Sequence, residues 1–526
     1  MHTFYLLFYL AIYLNHSIAK KNILFIVTDD LRPNLGSYKD ANDNFFDAPD
    51  MVTPNLDKLA EKSIIFENAY VQYALCSPSR TSFLTSRRPD TTHVTDLTSY
   101  FRHIGGNFTT IPQFFKNHGY KSINVGKIFH RGHDSSGPGS GDDDVSWNEI
   151  YHAKSTEIYQ GTGKSWEAVS ENNLPLKDTY EANLVIDKLR EIAPEAIIGV
   201  QPFFLGWGLH RPHLPFIYPE RFGLLYEHPR HLPRNPYAPF QMPDTAWMGW
   251  SELRMYKDIG HLDDGHFGEI NVTLPDWKTR DLRQAYYACV SHVDEEIGRV
   301  IDELELLGLA ESTIIVFLGD HGFQLGEHAE WCKHTNFEIA NRSPMMVSIP
   351  GQTDGGLRTK KLVEFVDIFP TLMEATEFPA MEICPEVSSD VALCTEGSSL
   401  LPLLSNPEEE SWKDSVFWQF RRGGKYCDDC PHLTKTMGYT IRTERYRFTE
   451  WVGITPLGDN DYEPNWDERK DDPELYDLDV DPEENINVFN YPDYMQVKQE
   501  LRTKLRAGWR QALPYFEKTL DEANIS

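Results

Sequence analysis

The sequence is short of basic residues. Lys and Arg number 50 against 80 Asp and Glu, for a formal charge of -30. A chain this acidic repels nucleic acid and anionic membrane surfaces, which excludes a general role in binding either. An anionic substrate would need basic residues gathered locally against the overall field. Long apolar runs are also missing. Beyond residue 19 no stretch of about eighteen apolar residues is uninterrupted, so no membrane span is expected and the mature chain should be soluble. There are no internal repeats, which argues against a solenoid. Cysteine is scarce and odd in number, seven in 526 residues, so at least one thiol stays unpaired in an oxidising compartment. Cys427-Asp428-Asp429-Cys430 has no second Cys or His pair at zinc spacing, so a disulfide or redox pair outweighs a metal site there.

What is present points to export. Phe4 to Leu14 is an apolar run too short to span a membrane. Ser17 and Ala19 occupy the small-x-small positions of a cleavage site, so residues 1–19 read as a signal peptide and Lys20 as the first mature residue. Sequons stand at Asn107-Phe108-Thr109 and Asn271-Val272-Thr273, making Asn107 and Asn271 glycosylation candidates. Asn341-Arg342-Ser343 is followed by Pro344, which disfavours modification, and Asn15 would leave with the signal. Cys384 and Cys394 lie in one loop-like stretch and are a plausible disulfide. Cys289 sits among Leu282, Tyr286, Val293 and Ile297 at helical spacing, which reads as a buried thiol. Cys332 is ambiguous.

The length suggests one large domain and a smaller one. Residues 22–28 form a continuous apolar run, as in a strand buried on both faces, and end at Asp29-Asp30. Thr53-Pro54 opens a helix to about Glu61, with Thr53 as N-cap. A helix from Ile111 stops at Gly119, and a strand over 122–125 leads into Gly126-Lys127-Ile128-Phe129-His130. Residues 131–150 read as loop. A strand over 203–209 ends at His210-Arg211-Pro212-His213. Residues 227–250, dense in Pro, His and Trp, read as a long excursion on the rim of a pocket. A helix over 279–307 stops at Gly308, and a strand over 313–318 ends at Asp320-His321-Gly322. This alternation to about residue 375 predicts an α/β domain with a large, mostly parallel sheet flanked by helices. Strands over 417–421 and within 439–452, then a helix near 495–511, predict a smaller C-terminal α+β subdomain with an antiparallel sheet. The expected division is 20–380 and 381–526. In open α/β sheets ligands bind at the carboxyl ends of the strands, where Asp29, His130, His213 and Asp320 all fall.

Asp29, Asp30 and Asp320 are three hard oxygen donors. Adjacent carboxylates repel unless a cation lies between them, which points to Ca2+ or Mg2+, although Asp also caps turns at strand ends. Cys76-Ser77-Pro78-Ser79-Arg80, followed by Leu84-Thr85-Ser86-Arg87-Arg88-Pro89, resembles the signature of the type I sulfatases. The resemblance implies an alkaline-phosphatase-like sandwich fold. It implies that a formylglycine-generating enzyme oxidises Cys76 to formylglycine in the endoplasmic reticulum. The hydrated aldehyde offers one hydroxyl to attack sulfur and a second to expel sulfate, which a serine could not do without water. A divalent cation and cationic side chains would offset the charge of the ester and of its leaving oxygen.

Residue by residue, the resemblance places Asp29, Asp30, Cys76, Asp320 and His321 at one divalent cation, favouring Ca2+ over Mg2+. Arg80 would support the gem-diol and metal region. Lys127 and His130 match a Gly-Lys-x-x-His element, with Lys127 on the sulfate and His130 near the nucleophile. His213 would stand near the ester, and Lys333 would contact the sulfate and help the leaving group. Further segments resemble the branch that removes the 2-O-sulfate of non-reducing-end iduronate from heparan and dermatan sulfate. They are 320–328, Glu330-Trp331-Cys332-Lys333, 437–443, Tyr446-Arg447-Phe448, the Cys384/Cys394 spacing and 474–478. That implies a sulfated glycosaminoglycan substrate and a lysosomal or secreted enzyme. The chain departs from that branch in Cys427/Cys430, in Phe323 where Trp is expected, and in His334 where Tyr is expected, all near the expected pocket.

Three alternatives remain: a sulfatase of different sugar specificity, a phosphomonoesterase or phosphodiesterase on the same fold, and a non-catalytic binder of sulfated glycans. Ester hydrolases of phosphate on this fold usually use Ser or Thr and often two metals. A tyrosine-phosphatase reading needs Cys-x5-Arg, and Arg80 lies four positions after Cys76.

Overall fold

A computed structural model describes residues 20–39, 48–132, 141–152, 163–170, 172, 175–226, 232–262, 266, 269–422, 436–457 and 462–514. The signal-peptide reading of 1–19, the Cys427/Cys430 pair and parts of the 131–150 and 227–250 segments lie outside them.

The large sheet has eight strands: β1 (Asn22–Asp29), β2 (Ile64–Tyr70), β3 (Lys121–Gly126), β4 (Glu149–Tyr151), β5 (Phe203–Pro212), β6 (Thr313–Gly319), β7 (Met345–Ser348) and β8 (Leu357–Glu364). Their order across the sheet is 8-2-7-6-1-5-3-4. Pairing is parallel from β6 through β1, β5 and β3 to β4, and again between β2 and β8; β7 alone runs against its neighbours. The sheet is thus mixed but mostly parallel.

β1 shows why the sequence reads as continuous apolar. Leu24 and Ile26 join one hydrophobic cluster, while Ile23, Phe25 and Val27 join another on the opposite face. Successive side chains point to opposite faces, so a strand covered on both sides must be apolar at every position. The first face is covered by helices α1 (Pro54–Ala60), α4 (Lys177–Ile197) and α5 (Asp276–Leu306). The second is covered by α2 (Cys76–Thr85), α3 (Ile111–Asn117) and α6 (Ile368–Ala375). In α5 the expected thiol Cys289 is fully buried, and Gly308, at φ +71°, ends the helix in the left-handed conformation glycine adopts without cost.

Three expectations need correction. Residues 131–150 are not all loop, because β4 begins at Glu149 and pairs with β3; three residues are too few to show a period. Thr53 precedes α1, but its hydroxyl accepts from the Gly36 amide, 2.8 Å away, rather than from the helix. The last helix, α7 (Met495–Ala507), stops short of 511.

The C-terminal strands are β9 (Ser415–Arg422), β10 (Thr436–Thr443), β11 (Tyr446–Pro456), β12 (Tyr462–Arg469) and β13 (Glu474–Asp477), and all their pairings are antiparallel. Leu501 and Leu505 of α7 pack on this sheet. Cys384 and Cys394 form a disulfide with Cα atoms 4.9 Å apart. Among the described residues no helix is long and apolar enough to cross a membrane.

Candidate active site

The carboxyl ends of β1, β3, β5 and β6 meet as the sequence predicts. Asp29 ends β1 and Asp30 follows it in the left-handed region at φ +62°. Consecutive strand residues would point to opposite faces; the left-handed turn at Asp30 allows both carboxylates to join one cluster. That turn is held by the Asp30 amide, which donates to Asp320 Oδ1 at 2.9 Å. Asp29, Asp30 and Asp320 each bring an oxygen within 4.8 Å of the other two. Ligand oxygens about 2.4 Å from one ion can be no more than about 4.8 Å apart, so this set is within reach of a shared divalent cation the size of Ca2+.

His321 completes the set. Its Nε2 is 3.3 Å from Asp30 Oδ1 and 3.6 Å from Asp320 Oδ1. Its Nδ1 is 2.8 Å from the Gly322 carbonyl oxygen. A carbonyl only accepts, so Nδ1 donates there, and Nε2, which faces the carboxylates, is the ring atom that would ligate a metal.

Cys76 is the first residue of α2, and Arg80 stands four residues on, over the same helix face. Pro78 falls within the first turn, where no intrahelical bond is lost. Cys76 Sγ lies 3.5 Å from Asp29 Oδ1 and 3.5 Å from His321 Nε2. Arg80 donates through Nε to Asp320 Oδ2 at 2.9 Å and through Nη2 to Asp29 Oδ1 at 3.0 Å. Its Nη1 donates to the carbonyls of Lys127 and Ile128. Arg80 therefore ties the ends of β1, β3 and β6 to the helix that carries Cys76.

Lys127 Nζ donates to Asp29 Oδ2 at 2.5 Å. Its backbone crosses Gly208 so closely that a Cβ there would sit 1.9 Å from the Lys127 carbonyl oxygen, so only glycine fits. Lys333 Nζ donates to both oxygens of Asp30, each at 2.8 Å. His213 Nε2 lies 3.8 Å from Asp30 Oδ2. His130 is half-buried three residues after Lys127.

The electrostatics separate the two adjacent aspartates. Burial would raise Asp29, but Lys127, His213 and Arg80 outweigh it and hold the carboxyl well below the usual range. For Asp30 burial wins over His213 and Lys333, and the carboxyl is raised. Burial, and then the charge of Asp29, push the Cys76 thiol up, so a thiolate is disfavoured there.

One member of the cluster escaped sequence reasoning. Glu252, in the turn Ser251–Met255, accepts from Lys333 Nζ at 2.8 Å and lies 3.9 Å from His213 Nε2. It lies just past the Pro- and Trp-rich excursion read over 227–250, and nothing in the sequence singled it out. Phe323 and His334, expected near the pocket, are 0 % and 1 % exposed. Phe323 stacks on Tyr286, with Lys333 Nζ 5.8 Å from its ring centre. Both are as buried as Lys333 itself, with Phe323 beside its ammonium and His334 next to it in the chain.

Of the sequons, Asn107 and Asn271 are exposed, whereas Asn341 is fully buried. Cys332 is a buried free thiol, as are Cys76 and Cys289.

Comparison with known proteins agrees with this arrangement. Residues 21–378 match the family model described as sulfatase, and residues 326–511 match that of the C-terminal region of N-sulphoglucosamine sulphohydrolase. Iduronate 2-sulfatase of Mus musculus is 37% identical over 93% of this chain and 94% of its own length. The Homo sapiens protein of that name is 36% identical over 90% and 92%. Among solved structures, a phosphonate monoester hydrolase of Agrobacterium radiobacter superposes with a TM-score of 0.69 at 22% identity, covering 94% of this chain and 96% of that one. The last likeness concerns the fold alone, and one fold carries several ester chemistries.

Proposed function

The chain belongs to the sulfatase family of sulfuric ester hydrolases, and we propose that it hydrolyses the 2-O-sulfate of non-reducing-end iduronate in heparan and dermatan sulfate. The observation that carries the reading is the meeting of Cys76, at the head of α2, with the acidic cluster and with Lys127, His213 and Lys333. The relatives named for iduronate 2-sulfate cleavage support the choice of sugar.

Each residue has a distinct task in this reading. Asp29, Asp30, Asp320 and His321, with the side chain at position 76, hold one divalent cation, Ca2+ by family resemblance. That cation supplies positive charge beside the sulfate oxygens. Formylglycine made from Cys76 supplies a hydroxyl nucleophile. Arg80 fixes Asp29 and Asp320 and so the place of the nucleophile. Lys127 and Lys333 are buried ammonium groups that face sulfate oxygens in a low-dielectric site, where such charges act strongly. His213, at the pocket mouth, stands beside the ester oxygen and carries a proton to it. His130 stands near the nucleophile by family resemblance.

One observation weighs against a two-metal phosphoesterase. Asp30, His213 and Glu252 form a second cluster that could hold an ion. The Lys333 ammonium already lies 2.8 Å from oxygens of both carboxylates there. A tethered single charge thus stands where a second metal would.

We also place the protein in the secretory pathway and the lysosome, after removal of 1–19, with glycans on the exposed Asn107 and Asn271. We propose a division at about residue 380, between the domain of the mostly parallel sheet and that of the antiparallel one.

Two measurements test the reading. Peptide mass spectrometry of secreted, active protein should find formylglycine at position 76; unmodified Cys76 in active protein would sink the mechanism. Defined disaccharides sulfated at iduronate C2, glucuronate C2 or glucosamine C6 should be cleaved with the first preferred. Preference for either other sugar would replace the proposed substrate.

A further inference from the structure

Lys333 stands in an unusual loop. Among residues 324–336, four that are not glycine have positive φ: His328 at 57°, Ala329 at 64°, Cys332 at 72° and His334 at 79°. Backbone in this region is strained for residues with a side chain and persists only where its surroundings fix it. Part of the fixing comes from across the pocket. Ser251, itself at φ 48°, places Oγ 2.5 Å from His334 Nδ1. Its neighbour Glu252 accepts from Lys333 Nζ at 2.8 Å. Two consecutive residues of one turn thus grip two consecutive residues of the other.

The two carboxylates on Lys333 are not equivalent. Asp30 belongs to the acidic set that fits a cation, and a carboxylate that ligates a divalent ion gives much of its charge to that ion. Glu252 lies outside that set and keeps its charge for Lys333 and for His213, 3.9 Å away. Its side chain is 17 % exposed against 1 % for Lys333, so it stands at the pocket edge with the ammonium behind it.

We propose that Glu252, assisted by Ser251, is a positioning residue that holds Lys333 and His213 against the leaving oxygen of the ester. The inference rests on the sulfatase reading above. It adds that leaving-group assistance depends on a carboxylate that touches neither the cation nor the nucleophile.

The test compares two sulfate esters. An iduronate 2-sulfate disaccharide expels a basic alkoxide and needs help; 4-methylumbelliferyl sulfate expels a stabilised phenolate and needs little. Glu252→Gln should lower kcat on the disaccharide about 10- to 100-fold, within the range of acid catalysis, with KM changed less than about 3-fold. On the aryl ester kcat should fall less than about 3-fold. Glu252→Asp, which keeps the charge, should lose less on the disaccharide than Glu252→Gln. It carries the same comparison should Gln fail to fold. Thermal unfolding supplies a readout independent of turnover, and the midpoint of Glu252→Gln should stay within about 2 °C of wild type. Equal losses on both esters, or none, would overturn the positioning role. A wild-type protein that cleaves no sulfate ester would overturn the parent reading and this one together.

Discussion

Glu330 offers a measurable test of how the Lys333 loop is supported. It lies three residues before Lys333 and is 0 % exposed. Its carboxylate accepts from the Met248 amide at 2.5 Å and from Gln324 Nε2 at 2.6 Å. Burial nevertheless dominates and pushes the carboxyl from its ordinary 4.5 up to about 7. The folded state therefore binds this proton more tightly than the unfolded chain. The resulting stability is complete below about pH 4.5 and is lost as pH rises through about 7. Between pH 5 and pH 8 the loss amounts to about 2–3 kcal/mol. Glu330→Gln has no proton to lose. Relative to wild type it should gain that amount between the two pH values, whatever constant offset its altered hydrogen bonds impose. Unfolding entropy of about 2.1 cal/mol/K per residue converts this to a Tm difference of about 2 °C for a chain this long. The buried histidines whose unfolded forms titrate in the same range, such as His328, lowered by burial to about 4 in the fold, are common to both proteins and cancel. Scanning calorimetry of both proteins at the two pH values reads the effect. A relative change under about 0.5 °C, or one of opposite sign, would refute the claim that Glu330 is buried as a neutral acid.

Removing the cation with a chelator should abolish sulfate-ester cleavage and lower the unfolding midpoint, because Asp29, Asp30 and Asp320 would then repel one another; Ca2+ should restore both better than Mg2+, and activity that survives exhaustive chelation would remove the metal from the mechanism. Cys394→Ser opens a ten-residue loop and should cost about 2–3 kcal/mol of stability while leaving kcat near wild type. Calorimetry and a rate assay check both, and a large loss of kcat would mean that the disulfide supports the site directly.

The parts of the site that were legible in the sequence lie at the ends of buried strands. Runs such as 22–28 and 313–318 must be apolar on both faces, so the polar residues that break them, Asp29 and Asp320, stand out against their surroundings. Lys127 and His213 are found in the same way. The head of α2 was legible for a different reason, since Cys76 and Arg80 bracket a proline in a pattern with its own chemistry. Glu252 had neither signal. It sits on a short turn in an irregular segment, where no periodicity marks which residues face inward, and only tertiary contact with Lys333 reveals it. The reversed strand β7 was equally hidden, because four apolar residues read the same in either direction. Helix α4 also went unread, its pattern crossed by Pro194 near the carboxyl end. Phe323 and His334, singled out as departures from the family pattern, do adjoin the site, Phe323 beside the Lys333 ammonium and His334 bonded to Ser251.

The charge arrangement reconciles an acidic protein with an anionic ester. At the site four carboxylates, Asp29, Asp30, Asp320 and Glu252, face the permanent cations Arg80, Lys127 and Lys333. That set is one charge short of neutral, and a divalent cation turns it positive. The site thus becomes attractive to a sulfate ester only when the ion is bound, while Arg80 remains fixed to Asp29 and Asp320 in either state. The surface charge of the chain matters less, because charges beyond a Debye length of about 8 Å are screened in solution and those in the buried cluster are not. A second metal at Asp30, His213 and Glu252 would add two charges where Lys333 adds one. The lysine therefore suits a substrate whose transferred group carries one negative charge, as a sulfate monoester does, better than a phosphate monoester that carries two.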